Sequence, residues 1–287
     1  MTRQPGLAVA ELASGPVEYR LDRRGHDTVA IFHGGHMRAE IALGEQVYAD
    51  AGYTVLVPSR PGYGRTPITT GTTPAGFADV FAELCAHLGV RRLVAVVGIS
   101  AGARTAITVA ARHRTLVSRL ILESAQSFAP WPDRRTRFGA QVVFHPAVEK
   151  ATWALTRTLL DALPQTALRS LLGSLTGKPV REVVSALTPA DRAAVIALLR
   201  AMRSGTGFLN DLRECPDVAA QIAQPALVIA SRNDGAVPFA HSEMLAAAIP
   251  RARLLESVAD SHLIWFSADY PDIAGQIERF LAAPRSI

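Results

Sequence analysis

Short apolar runs rich in β-branched residues alternate along this chain with longer stretches whose apolar positions recur every three or four residues. The runs are TVAIFHGG from Thr28, YTVLVPSR from Tyr53, RLVAVVGIS from Arg92, VSRLILES from Val117, PALVIASR from Pro225 and ARLLESV from Ala252. They are apolar at successive positions, which suits strands covered on both faces in a parallel sheet between helical layers. The pattern predicts an α/β fold with a mostly parallel central sheet flanked by helices. The opening LAVAELASGPVEYRLDRRG alternates less cleanly around an SGP turn signal and predicts an antiparallel hairpin at the sheet edge.

From about residue 125 to 218 no comparable strand run occurs. AVEKATWALTRTLLDAL, QTALRSLLGSL and TPADRAAVIALLRAM carry helical spacing, the last with Thr188 as N-cap and Pro189 in first position. The chain therefore divides into a first core part (1–124), a helical insertion (125–218) and a second core part (219–287).

Composition narrows the class. The 287 residues are 49% hydrophobic and 19% charged, with a mean hydropathy of +0.18, as in ordinary globular proteins. Glu11 interrupts the N-terminal apolar stretch and no later run approaches the roughly 18 residues of a membrane span, so the expectation is a cytoplasmic protein without a span. Cys85 and Cys215 are far apart and have no metal-ligand neighbours, which points to free thiols and no metal site. The net charge of +5 comes almost wholly from arginine, and the insertion holds twelve Lys/Arg against eight Asp/Glu. The basic residues are scattered without aromatic interleaving, which argues against a nucleic-acid partner.

The candidate chemistry begins at Gly98-Ile99-Ser100-Ala101-Gly102, which follows an apolar strand and opens an alanine-rich helix. A G-x-S-x-G at such a junction lifts the serine onto a tight turn above the sheet, with the N–H of Ala101 at the positive end of the helix. A hydroxyl needs a base. His262, in DSHLIWF after the last strand run, is the candidate, and Asp234, in SRNDGAVP after the preceding run, would orient it. Glu123, at the end of the fourth run, is the rival acid. His33-Gly34-Gly35-His36 leaves the first central strand, and an N–H from Gly35 or His36 would join that of Ala101 in an oxyanion hole. The remaining histidines read as solvated or structural.

FHGG, SRPGYGRT, GISAG, SRNDGAVP and SHLIWF, in this order, resemble the motifs of the α/β-hydrolase superfamily. The resemblance covers nearly the whole chain and lies nearest the capped esterase, C–C hydrolase and cofactor-free peroxidase branch. It implies that the insertion is a cap whose apolar residues wall the pocket, with Phe128, Trp131, Trp153 and Phe208 as candidate contacts and Phe138, Phe144, Leu159 and Leu163 as further ones. Epoxide hydrolases and dehalogenases carry aspartate where this chain has Ser100, and are disfavoured. The expected function is hydrolysis of an ester, thioester or lactone of a fairly apolar small molecule through an acyl-enzyme, without a cofactor. The same residues could serve C–C cleavage, acyl transfer, cyclisation or peracid formation, and the fold could also serve as a small-molecule-binding module. Arg134, Arg135 and Arg137 read first as a solvated basic face. A homo-oligomer stays open.

Overall fold

The computed structural model describes residues 6–284. Strands β1 (Leu7–Leu12), β2 (Gly15–Asp22), β3 (Thr28–Phe32), β4 (Thr54–Pro58), β5 (Leu93–Ile99), β6 (Leu120–Glu123), β7 (Ala226–Ser231) and β8 (Ala252–Ser257) form one sheet in the order β1-β2-β4-β3-β5-β6-β7-β8. β1 and β2 are the expected edge hairpin, with Leu12 opposite Gly15, and β2 also runs antiparallel to β4. From β4 onward every pairing is parallel.

The strands are apolar at every position because each face has its own helical cover. Successive side chains point to opposite faces, so Val96, Leu120, Leu122 and Val228 join one core with α2 (Pro74–His87), α3 (Gly102–Arg112) and α10 (Ala240–Ala248). Their neighbours Val97, Ile121, Leu227 and Ile229 join a second core with α1 (Gln46–Asp50) and α11 (Tyr270–Ala282). Truncating one of these fully buried leucines to alanine would cost about 2–5 kcal/mol.

Between β6 and β7 lie α4 (Arg134–Val143), α5 (Glu149–Ala162), α6 (Pro164–Gly173), α7 (Val180–Ala186), α8 (Pro189–Ala201) and α9 (Gly207–Asp211). Thr188 caps α8 as its sequence predicts, accepting from the Asp191 N–H, with Pro189 at the start of the helix. A third apolar cluster joins Leu160, Leu168, Leu172, Val195 and Leu198 of these helices to Met37, Ile41 and Leu43, which follow β3, and to Leu263. The insertion thus packs directly over the C-terminal edge of the parallel strands. Among the described residues, no helix is long and apolar enough to cross a membrane.

Candidate active site

Ser100 stands on the turn from β5 into α3 with φ +51°, half-buried. His36, Ser100 and Ser124 are the described non-glycine residues with positive φ, and all three lie at this edge of the sheet. Such backbone strain costs of order 1–3 kcal/mol and persists where the surroundings enforce it. Here the turn after β6 enforces it. The Ser100 N–H donates to the Glu123 carbonyl at 3.0 Å, and its own carbonyl accepts from the Gln126 N–H at 3.1 Å. The flanking glycines are required by close approach: a Cβ on Gly98 would lie 2.6 Å from Ala103 Cα, and one on Gly102 would lie 2.1 Å from the Phe32 carbonyl oxygen. Ala101 is the N-cap of α3, at the end of the helix where the first N–H groups have no intrahelical partner and the helix dipole is positive.

Asp234 follows β7 and His262 follows β8, and the structure brings them together, with His262 Nδ1 at 2.6 Å from Asp234 Oδ2. The other oxygen, Oδ1, accepts from the N–H groups of Ala236 and Val237, both at 2.8 Å, which fixes the carboxylate. With Nδ1–H donated to a buried acceptor, Nε2 keeps its lone pair free to take a proton. The same β6 turn that holds Ser100 also holds the histidine, since Ser124 Oγ donates to the His262 carbonyl at 2.9 Å.

A short segment between α6 and α7 braces both loops. The Leu175 carbonyl accepts from the N–H of Gly235 (3.2 Å) and from that of His262 (2.8 Å), and Thr176 forms a β-bridge with Asp234. Thr176 Oγ1 donates to the Asp260 carbonyl at 2.6 Å. Nothing in the side chains of Leu175 or Thr176 announces this role, because backbone atoms perform most of it.

Glu123 is not placed to orient His262. Its carboxyl shares the parity of Ile121 and points to the α1 and α11 face, where it accepts from Tyr48 Oη (3.0 Å) and Trp265 Nε1 (2.9 Å). Burial pushes its pKa up to about 7, against the opposing effect of those two donors. Asp260, the nearer carboxylate in sequence, pairs instead with Lys178 at 2.6 Å.

The loop after β3 lies against Ser100: a Cβ on Gly34 would be 2.9 Å from Ser100 Cβ. Its peptide groups are set by Arg60, whose Nε donates to the His33 carbonyl (2.8 Å) and whose Nη2 donates to that of Gly34 (3.1 Å). Below it His33 Nε2 bonds Glu45 Oε1 at 3.0 Å, and Arg20 meets both Glu45 oxygens at 2.6 Å. Burial alone would raise the Glu45 pKa, but His33 and Arg20 pull it below the ordinary value. The two N–H groups expected for an oxyanion hole alongside that of Ala101, those of Gly35 and His36, both belong to this loop.

The sequence-selected aromatic residues separate into groups. Trp153 and Phe208 gather on the His36 ring, at centroid distances of 5.3 and 4.0 Å, and Phe144 joins them at 4.7 Å. Phe128 packs in the core beneath α3, and Trp131 is half-buried ahead of α4, outside this group. Phe138, Leu159 and Leu163 are exposed on the insertion, as is Arg135, whereas Arg137 lies 3.6 Å from Glu214. Ala101 borders a crevice of about 90 Å³ that also touches Arg60, Arg104 and Asp211. A larger cavity of about 260 Å³ lies beside Ser261 and Leu263, between α6, α7, α8 and the His262 loop.

The relatives of the chain define its family. The alpha/beta hydrolase fold family model matches residues 27–269, and the chain belongs to that family as a hydrolase of the alpha/beta fold. An uncharacterized hydrolase of Bacillus subtilis (strain 168), YcgS, is 30% identical over 273 residues, covering 93% of this chain and 95% of the relative. The pimeloyl-[acyl-carrier protein] methyl ester esterase of Aromatoleum aromaticum is 27% identical over 240 residues, covering 79% and 87% respectively. Among solved structures, an alpha/beta hydrolase fold protein from Nakamurella multipartita superposes with a TM-score of 0.82 at 22% identity, over 96% of this chain and 99% of that one.

Proposed function

We propose that the protein is a serine esterase that cleaves an ester, thioester or lactone of a fairly apolar small molecule through an acyl-enzyme. The observation that carries the reading is the shared β6 turn, which holds Ser100 at φ +51° and also holds His262, itself 2.6 Å from the carboxylate of Asp234. In this reading Ser100 Oγ attacks the acyl carbonyl while His262 Nε2 takes its proton, and Asp234 holds the imidazolium that forms. The N–H groups of Ala101 and of Gly35 or His36 bind the oxyanion, each worth about 3 kcal/mol by analogy with single-donor removals. Protonated His262 then returns its proton to the leaving group, and water, activated by the same histidine, releases the acid.

The curated relative named as a methyl ester esterase supports the ester class, and the aromatic group around His36 supports an apolar acyl portion. The reading includes a cytoplasmic location, a cap role for the insertion and no nucleic-acid partner. It is tested by intact-protein mass spectrometry after exposure to a fluorophosphonate. A single adduct is expected, absent in Ser100→Ala and formed at least a hundredfold more slowly in His262→Ala. A folded parent protein that takes no adduct would overturn it and favour a binding module.

A further inference from the structure

The hydroxyl of Ser204, fully buried between α8 and α9, lies between two ring nitrogens, with Trp153 Nε1 at 2.8 Å and His36 Nδ1 at 2.8 Å. An indole N–H can only donate, so Ser204 Oγ accepts from Trp153. A buried hydroxyl whose own proton lacks an acceptor costs about 1–3 kcal/mol. Among the described residues, the acceptor found within reach of that proton is His36 Nδ1. Ser204 therefore donates to His36, and the proton of the neutral imidazole sits on Nε2. The relay is fixed from behind, because Glu149 Oε1 accepts the Ser204 N–H at 2.8 Å and the Gly205 N–H at 3.2 Å.

His36 is uncharged as well as oriented: burial draws its pKa down to about 3. Its Nε2 has no hydrogen-bond partner among the described residues and is not among the sealed, unpartnered polar atoms. The ring is held between Phe144, Trp153 and Phe208, and a Cβ on Gly35 would lie 3.0 Å from the same Phe208 ring. Gly34, two residues earlier, packs on Ser100. The backbone at His36 has φ +65°, a conformation that costs a side-chain-bearing residue of order 1 kcal/mol and is retained here with the ring seated in the aromatic group. A donor with no protein acceptor, in apolar surroundings and two residues along the chain from the glycine that packs on Ser100, is poised for an oxygen that the protein itself does not supply.

We propose that His36 is a specificity-determining residue: its imidazole, locked as the Nε2–H tautomer by the Trp153–Ser204 relay, donates a hydrogen bond to an oxygen in the acyl portion of the substrate, beyond the carbonyl that Ser100 attacks. The substrate class is then an oxygen-substituted acyl group (alkoxy, keto or hydroxy), whose apolar remainder lies on Phe144, Trp153 and Phe208. This inference rests on the esterase reading of Ser100.

The test compares 4-nitrophenyl methoxyacetate with 4-nitrophenyl butanoate, acyl groups of similar shape that differ by an ether oxygen in place of a methylene. The ratio of their kcat/KM values is measured in the parent, His36→Phe and His36→Gln. The ratio is expected to fall at least tenfold in His36→Phe, chiefly through KM for the methoxyacetate, and to recover in part in His36→Gln, whose amide again offers an N–H. An unchanged ratio in a His36→Phe variant that still labels with fluorophosphonate would overturn the proposal and leave the esterase reading intact. Failure of the parent to label would instead count against the esterase reading. In that event, ¹⁵N-histidine NMR of the parent at pH 7 decides: the Nε2–H tautomer is expected, with an Nε2 shift on adding methoxyacetate and none on adding butanoate, and a collapse to mixed tautomers in Ser204→Ala. An Nδ1–H tautomer, or an Nε2 indifferent to methoxyacetate, would overturn the proposal.

Discussion

Arg60 grips Asp211 with both terminal guanidinium nitrogens, at 2.5 and 2.7 Å, joining the loop after β4 to α9 of the insertion. The side chain is buried. Desolvation would lower its pKa, but Asp211 and Tyr63 raise it above the ordinary arginine value, so the charge is secure. The same guanidinium fixes the carbonyls of His33 and Gly34. Arg60→Ala is expected to destabilise the fold by about 3–5 kcal/mol in urea titrations, because it strands the Asp211 carboxylate. Arg60→Lys keeps the charge but loses the planar fork. Its melting temperature should stay within a few degrees of the parent while kcat on 4-nitrophenyl butanoate falls tenfold or more.

The brace under Asp234 and His262 leaves no room at Gly235, where a Cβ would meet the backbone of Thr176 at 2.6 Å. In Gly235→Ala the strand of contact between Leu175 and the two loops must shift. A displacement of even 1 Å at a catalytic pair can cost a hundredfold. The fluorophosphonate labelling rate should drop at least tenfold with the far-ultraviolet circular dichroism unchanged; a parental rate would mean that the brace does not position the pair.

Strain at Ser100 predicts opposite effects on stability and activity. Ser100→Gly should gain about 1 kcal/mol over Ser100→Ala in chemical denaturation, since glycine takes φ +51° freely and alanine does not. Both variants should lose the adduct. Equal stability of the two would show that the turn is unstrained.

Glu123 links stability to pH. Its pKa rises from the ordinary 4.5 to about 7 on folding, so between those values the folded chain holds a proton that the unfolded chain has released. Stability from this group is therefore present below pH 4.5 and is lost as pH rises toward 7, by an amount of order 3 kcal/mol. Glu123→Gln has no such proton to lose. Relative to the parent, its unfolding free energy should improve between pH 4.5 and pH 8, and a constant difference across that range would contradict the assignment.

Much of the sheet was legible because apolar runs at successive positions leave few arrangements other than a doubly covered parallel sheet. Ser100, Asp234 and His262 stand out as candidates by their order and the turns they occupy, and the structure supplies the contact between the last two. The parity of β6 would also have excluded Glu123, had Ile121 been assigned to its face first. Other features were hidden by their chemistry. Arg60 acts through carbonyls 26 and 27 residues away, and His36 is oriented by a serine 168 residues distant. Helical spacing marked Phe144 and Phe138 alike as apolar positions, without saying that the first would reach His36 and the second solvent.

The Leu175–Thr176 contact has a bearing on modularity. A lid that merely covers a pocket can be exchanged between relatives as a cassette, but here the inserted segment supplies part of the scaffold that holds Asp234 beside His262. A graft replacing residues 125–218 wholesale would discard that scaffold. Domain shuffling in this chain therefore has a natural seam within the insertion, ahead of Leu175, and a chimera cut there keeps the alignment of Asp234 with His262.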